Sequence, residues 1–386
     1  MVIGAYYPEV SGGGVVCRDI VRRLSDRMQF TVLTTTADPC LRKDDEVDGV
    51  PVYRVCVDPR RAWSKVCAGI RMAQTFRRTR HRFSIVHLHG FSRKSILMVA
   101  LARFFGKRIL ITLTSVGHDD PISMRQRGAF TYWSYSRADV FAGISPRFRP
   151  LYEASALPAA RFRLIPNAVN TRRFCPVDAD GQRRVRHELG LPADNPITVF
   201  VGFFSHEKGP DLAFAAFARV SDRFPDSRLV LIGATRSNYY EIDTALAHEI
   251  QREAAERCLD ERVIFVESTL EIHKYLQAAD VFMLTSTREG LPVALLEAMS
   301  CGLGCIATRL EGITDILITD GVSGRLVESG DLDGFDTALG FMLANPDART
   351  AMGTQARETV VGHFGVEGMV EAYFDTYSAL HVCARA

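Results

Sequence analysis

The chain has 386 residues, 47% of them hydrophobic and 24% charged, and 47 Lys and Arg against 45 Asp and Glu leave a net charge of +2. That length calls for two domains, and the composition is that of a globular protein, which excludes collagen-like, coiled-coil and disordered chains. The longest apolar run, residues 95–105, is broken by Arg103 and is too short to span a bilayer.

The opening residues, MVIGAYYPEV, lack the basic start and long apolar core of a signal peptide and read as a first strand. Further strands are expected at 30–34, 52–57, 85–89, 108–113, 140–144 and 162–166. Helical patterns fall between them at 14–24, 64–80, 95–105 and 124–137. The stretch 177–196 is rich in Pro, Gly, Asp and Arg and reads as a linker. Beyond it the scheme repeats, with strands at 197–201, 228–232, 263–266, 281–284, 304–308 and 324–327. Its helices are expected at 210–223, 240–258, 270–278, 292–299, 334–343 and 347–363. A last helix, 366–380, carries Met369, Tyr373, Phe374 and Tyr377 on one face and could pack back on the first domain. Strands alternating with helices predict an α/β fold of two Rossmann-like domains, 1–176 and 197–363, with 364–386 as a terminal helix. Ligands of such sheets bind beyond the carboxyl ends of the strands, so the expected site is a cleft between the two.

The small net charge conceals an asymmetry. Residues 1–176 hold 29 Lys and Arg against 13 Asp and Glu, and residues 177–386 hold 18 against 32. No acid occurs from Arg60 to His118. The first half therefore faces an anionic partner, whether membrane lipid, a phosphate-bearing substrate or nucleic acid, or else docks on the acidic half. Nucleic acid is the weakest of these, because no reading helix, aromatic platform or zinc module is visible. The nine cysteines are scattered and odd in number, and Cys301 and Cys305 form the one close pair. They read as reduced thiols of a cytoplasmic protein, not as a disulfide frame or a zinc site.

Three stretches carry chemistry. SGGG, Ser11 to Gly14, opens a helix after the first strand, where amides without side chains favour an anion; a tight strand–helix turn explains it equally well. Lys208 and Gly209 precede a helix after the strand at 197–201, a setting that suits a diphosphate or simply a solvated lysine. The third stretch, TSTREGLPVALLEAMSCG, follows the strand at 281–284. Pro292 fits a first helical turn, and the amides of Gly290 and Leu291 stand just ahead of it. Glu289 sits before those amides and Glu297 lies one turn inside the helix. A carboxylate accepts two hydroxyl hydrogen bonds well, so a vicinal diol is a natural ligand. Taken singly, Glu289 could serve the helix dipole and Glu297 could be a surface residue.

Glu289, seven residues, Glu297 and then AMSCG resemble the E-x7-E signature of retaining GT-B glycosyltransferases, and most of all glycosyltransferase family 4. YYPEVSGGG, IVHLHG, LIPNAVNTRRFCP, VGFFSHEKGPD, ADVFMLTSTREG and DILITDGVSGRLV resemble landmarks of the same family in the same order, so the likeness covers nearly the whole chain. It implies an acceptor-binding first domain, a nucleotide-sugar-binding second domain and sugar transfer to an acceptor hydroxyl with retained anomeric configuration. The donor would be UDP- or GDP-linked, with no further cofactor and no metal. Lys208 would contact the diphosphate and Glu297 the ribose hydroxyls. Glu289 would face the sugar, with Gly290, Leu291 and Pro292 beside it. Gly13 and Gly14 would admit the donor phosphate, and His118 would reach the acceptor side. The acceptor would be a glycan, a lipid-linked sugar or another hydroxyl compound. Phe203 stands where the family usually has Arg, and Arg288 and Arg309 are the cations that could replace it. That departure keeps a second reading open, a non-catalytic nucleotide-sugar-binding subunit or partner. The basic segment 60–82, with Trp63, Val66, Ile70 and Phe76, is expected to form an amphipathic helix at an anionic inner membrane face or beside a lipid diphosphate acceptor, or else a core-facing helix with a solvated basic side.

Overall fold

Short apolar runs alternating with helical patterns build two parallel sheets. The computed structural model describes residues 1–9, 11–58, 60–233, 242–267 and 269–385. By internal contacts the chain forms two units, Met1–Asn167 with Val366–Ala386, and Ala168–Gly365.

The first unit holds β1 (Val2–Ile3), β2 (Val32–Thr36), β3 (Asp44–Val47), β4 (Val50–Cys56), β5 (Ile85–His89), β6 (Arg108–Leu113), β7 (Val140–Gly143) and β8 (Phe162–Leu164). Their order is β3-β4-β2-β1-β5-β6-β7-β8, and all pairs are parallel except β3 with β4. Its helices are α1 (Gly12–Leu24), α2 (Ala62–Thr79), α3 (Arg93–Phe104), α4 (Pro121–Gln126), α5 (Ala129–Tyr135) and α6 (Phe148–Glu153). The stretch 124–137, read as one helix, is two, because Gly128 at φ 110 breaks it and caps α5.

The second unit adds α7 (Ala179–Glu188), β9 (Ile197–Val201), α8 (Pro210–Val220), β10 (Arg228–Ile232), α9 (Thr244–Glu256), β11 (Val263–Val266), α10 (Ile272–Ala278), β12 (Val281–Leu284), α11 (Val293–Ser300), β13 (Gly304–Thr308), β14 (Arg325–Val327), α12 (Leu332–Ala344) and α13 (Pro346–His363). The six strands are parallel in the order β11-β10-β9-β12-β13-β14. Buried Phe200, Phe214, Phe217, Leu229, Leu231 and Met283 fill the space between sheet and helices. The expected helix 240–258 begins outside the described residues.

The linker reading of 177–196 does not hold. Asp178 caps α7 by accepting from the Gly181 amide, and α7 packs on α10 inside the second unit. Arg186 is buried at 3% exposure and meets Asp280 at 2.8 Å and the Ala278 carbonyl at 2.8 Å. A polar sequence here marks a helix fixed by one internal ion pair.

The last helix, α14 (Val366–Arg385), belongs to the first unit and lies on α1, β5 and β6. Its Tyr377 hydroxyl meets His87 Nδ1 at 2.7 Å, while His87 Nε2 meets Thr112 Oγ1 at 2.7 Å and Tyr373 reaches the same Thr112 oxygen at 2.9 Å. Burial, then the neighbouring His89, holds His87 well below its ordinary 6.5, and burial pushes His89 down to about 3. Both are neutral in the folded chain and gain protons near 6.5 on unfolding. Below that pH the unfolded chain binds more protons, so stability falls as acid is added. Acidifying from about pH 7 to about pH 5 is therefore expected to lower stability, with His87 one of the two histidines responsible. A urea midpoint that drops with acid in the native chain and drops less in His87→Asn checks this; equal slopes would contradict it.

Candidate active site

In the second unit the sheet reverses its strand order between β9 and β12. Loops leaving the carboxyl ends of two such strands splay apart and flank a ligand crevice. The two loops here are 202–209 and 285–292, the pair that the motifs single out.

Backbone and side chain tie these loops together. Gly209 caps α8 at φ 69, and a Cβ there would come within 2.8 Å of the Thr285 carbonyl oxygen. Only glycine suits both the left-handed conformation and that approach. The Thr285 hydroxyl donates to the Gly209 carbonyl at 2.7 Å, and the Thr287 amide donates to the Glu207 carbonyl at 2.9 Å. Thr285 and Gly209 thus act as a clasp, which the sequence reading had not assigned.

On this frame the Lys208 ammonium donates to Glu289 Oε1 at 2.8 Å. Their side chains are 25% and 11% exposed, so the pair is shielded but still open to a ligand. Leu291 is buried at 2%, and Gly290 and Pro292 are buried beside it. Pro292 proves to be the residue that caps α11, one position before the first turn expected for it. Its φ of −71 and ψ of 111 keep the backbone extended until Val293. Glu297 is the sole acid of α11 and is 8% exposed, which removes the surface reading. An ionised carboxylate inside an otherwise apolar helix is costly and calls for a polar ligand or partner.

The cations weighed as substitutes for the arginine missing at Phe203 are engaged elsewhere. Arg288 pairs with Glu207, and Arg309 pairs with Glu328 at 3.0 Å and with Asp320 at 3.7 Å. The Ser286 hydroxyl, at the end of β12, is buried without a hydrogen-bond partner, another polar group that sequence reasoning passed over.

The remaining expected residues lie in the first unit. Ser11 caps α1 and accepts the Gly14 amide at 3.1 Å, so that amide is not one of the free donors expected there. A Cβ on Gly14 would stand 2.9 Å from the Ala5 carbonyl oxygen, whereas Gly13 has room, with only Ile3 Cδ1 at 3.8 Å. Glycine at 14 is required by packing. His118 is half-buried and its Nδ1 meets the Arg127 guanidinium at 3.0 Å. Next to it, buried Asp119 accepts the Thr114 amide, the Thr114 hydroxyl at 2.7 Å and the Ser115 amide at 3.0 Å. Burial raises the Asp119 pKa, and those donors oppose the rise. Among the described residues no group of three His, Cys, Asp or Glu side chains could hold a metal ion.

The model of the family "Glycosyl transferases group 1" matches residues 181–359, and that of the "Glycosyl transferase 4-like domain" matches residues 11–168. A GDP-mannose-dependent alpha-(1-6)-phosphatidylinositol monomannoside mannosyltransferase of Mycolicibacterium smegmatis is 31% identical over 271 residues, 68% of each chain. The N-acetyl-alpha-D-glucosaminyl L-malate synthase of Bacillus anthracis is 24% identical over 377 residues, covering 96% of this chain and 94% of its own. Among solved structures, sucrose-phosphate synthase from Thermosynechococcus elongatus superposes with a TM-score of 0.80 at 22% identity, covering 99% of this chain and 98% of its own. Anabaena HepE in complex with UDP-glucose gives 0.78 at 16%, covering 98% and 99%.

Proposed function

The chain belongs to the glycosyl transferases group 1 family and is a nucleotide-sugar-dependent glycosyltransferase of the GT-B fold, and from that premise we propose that it transfers a sugar with retained anomeric configuration from a UDP- or GDP-linked donor to a glycolipid or polysaccharide acceptor. The observation that carries this reading is the Lys208–Glu289 pair at the strand-order reversal, with buried Glu297 on the helix that follows.

Each group then has a task. The diphosphate leaving group gains charge as the glycosidic bond breaks. Lys208 and the amides of Gly290 and Leu291 stabilise that charge, and because they are fixed beforehand they need no reorganisation. Glu297 takes the ribose hydroxyls in two charge-assisted hydrogen bonds. Glu289, positioned by Lys208, orients the sugar as it becomes oxocarbenium-like. In the first unit, His118 serves the acceptor. The acceptor hydroxyl attacks from the face that the leaving group vacates, without an obligate protein nucleophile.

The intact carboxylate–lysine set and the catalytic relatives favour this over a non-catalytic binding subunit. The first unit approaches an anionic membrane through α2. There Trp63 is 74% exposed, Val66 51% and Ile70 53%. Phe76, expected on the same face, is 3% exposed and belongs to the core, where it packs edge-on against Phe83 at 5.2 Å. Among the described residues no helix is long and apolar enough to cross a membrane. The reading places the protein in the cytoplasm, at the inner membrane face.

Stereochemistry tests the mechanism. Proton NMR of the first product formed from an α-linked donor is expected to show an α-anomer. A β-anomer as first product would overturn retention.

A further inference from the structure

The exposed aromatic side chains of the first unit are not scattered. The chain has two tryptophans, Trp63 and Trp133, and they are 74% and 54% exposed. Phe104 at 81% and Phe130 at 66% join them. All four belong to one helical layer, in which α2 packs on α3 and α3 on α5. Phe130 and Trp133 stack in nearly parallel planes, 6.0 Å apart and 19° inclined.

Beside that stacked pair lies a recess of about 350 Å³ lined by Arg103, Trp133, Ser136, Arg137 and Arg161. Asp139 is the acid next to it, and it is already shared by Arg103 at 3.2 Å and Arg108 at 3.2 Å while also accepting the Ile109 amide at 2.7 Å. Asp139 thus serves Arg103 and Arg108, while Arg137 and Arg161 also line the recess. The Arg137 guanidinium lies 4.8 Å from the Trp133 ring centre and makes no ion pair among the described residues. Arg161 uses one nitrogen on the carbonyls of Ser136 and Ala138, at 3.3 and 3.4 Å, which sets its planar fork at the recess wall. Guanidinium groups in such an arrangement match a phosphate oxygen pair.

We propose that this recess binds the phosphate of an anionic lipid headgroup, with Phe130 and Trp133 seated in the membrane interface beside it. The inference rests on the proposed membrane contact of α2 and adds a second, specific contact on the same helical layer. A free phosphate compound would satisfy the arginines but leave the stacked aromatic pair in water. Tryptophan at headgroup depth buries its ring and keeps its N–H wet.

Vesicle flotation with purified full chain tests this, using phosphatidylcholine alone and with about one third phosphatidylglycerol. The native chain is expected to float only with the anionic vesicles. Arg137→Ala is expected to weaken that binding roughly fivefold, as for loss of one near-surface cation, and Trp133→Ala to weaken it as well. Thermal stabilisation by nucleoside diphosphates should be unchanged in both, which shows intact folding. If both variants float like the native chain while Trp63→Ala/Ile70→Ser does not, the recess fails and the α2 contact stands. If the native chain floats with neither vesicle, both fail. Saturable quenching of Trp133 by soluble glycerol 3-phosphate without flotation would assign the recess to a free phosphate and overturn the lipid.

Discussion

Lys208→Ala is expected to lower kcat/KM by about a hundred- to a thousandfold, the usual effect of removing one preorganised donor from a developing anion. Lys208 follows β9, the middle of the second sheet, and its ammonium is already held at 2.8 Å from Glu289. Neither arginine that could have shared the phosphate load is disengaged, since Arg288 lies on Glu207 and Arg309 on Glu328. Glu289→Gln should also slow the reaction. The double variant should lose less than the product of the two single losses, because each partner positions the other. Steady-state kinetics with all three variants checks this. A Lys208→Ala loss below about tenfold, or full additivity, would contradict the shared role.

Glu297→Gln is expected to weaken nucleoside diphosphate binding by about ten- to a hundredfold, the range for loss of charge-assisted hydrogen bonds. The change conserves shape, and the site is 8% exposed on an apolar helix, so the amide fits without a cavity. A carboxylate that serves the ligand is read in the nucleotide affinity, whatever the change does to the unliganded protein. A purely structural Glu297 would give the opposite pattern, with a lower melting temperature and unchanged affinity. Calorimetric titration and melting curves on the same samples separate the two.

The eight-residue interval between Glu289 and Glu297 was legible because loop and helix are contiguous in sequence. Lys208 was legible as a residue after a strand, but its pairing with Glu289, 81 positions away, was not. That contact depends on β9 and β12 being neighbours, which strand alternation alone does not fix. The Thr285–Gly209 clasp was hidden for the same reason. β3 was missed because Asp44, Asp45 and Glu46 argue against a strand. It survives at a sheet edge, where charge is tolerated and Arg54 pairs with Asp45. α7 was read as linker because its one buried side chain is an arginine whose partner, Asp280, lies 94 residues on. Phe76 looked like one more apolar residue of a basic amphipathic helix. Its place in the core is set by Phe83 and Phe105, which pack against it from outside α2.

The central claim is that a nucleotide-sugar binds on Glu297 and Lys208. The most direct measurement is the melting temperature of the native chain and of Glu297→Gln with UDP-, GDP-, ADP- and TDP-sugars. At a hundred times its dissociation constant, one donor should stabilise the native chain by about 2.7 kcal/mol, and the same concentration should stabilise the variant far less. Equal stabilisation of both proteins, or none of the native chain by any of the four, would contradict the account.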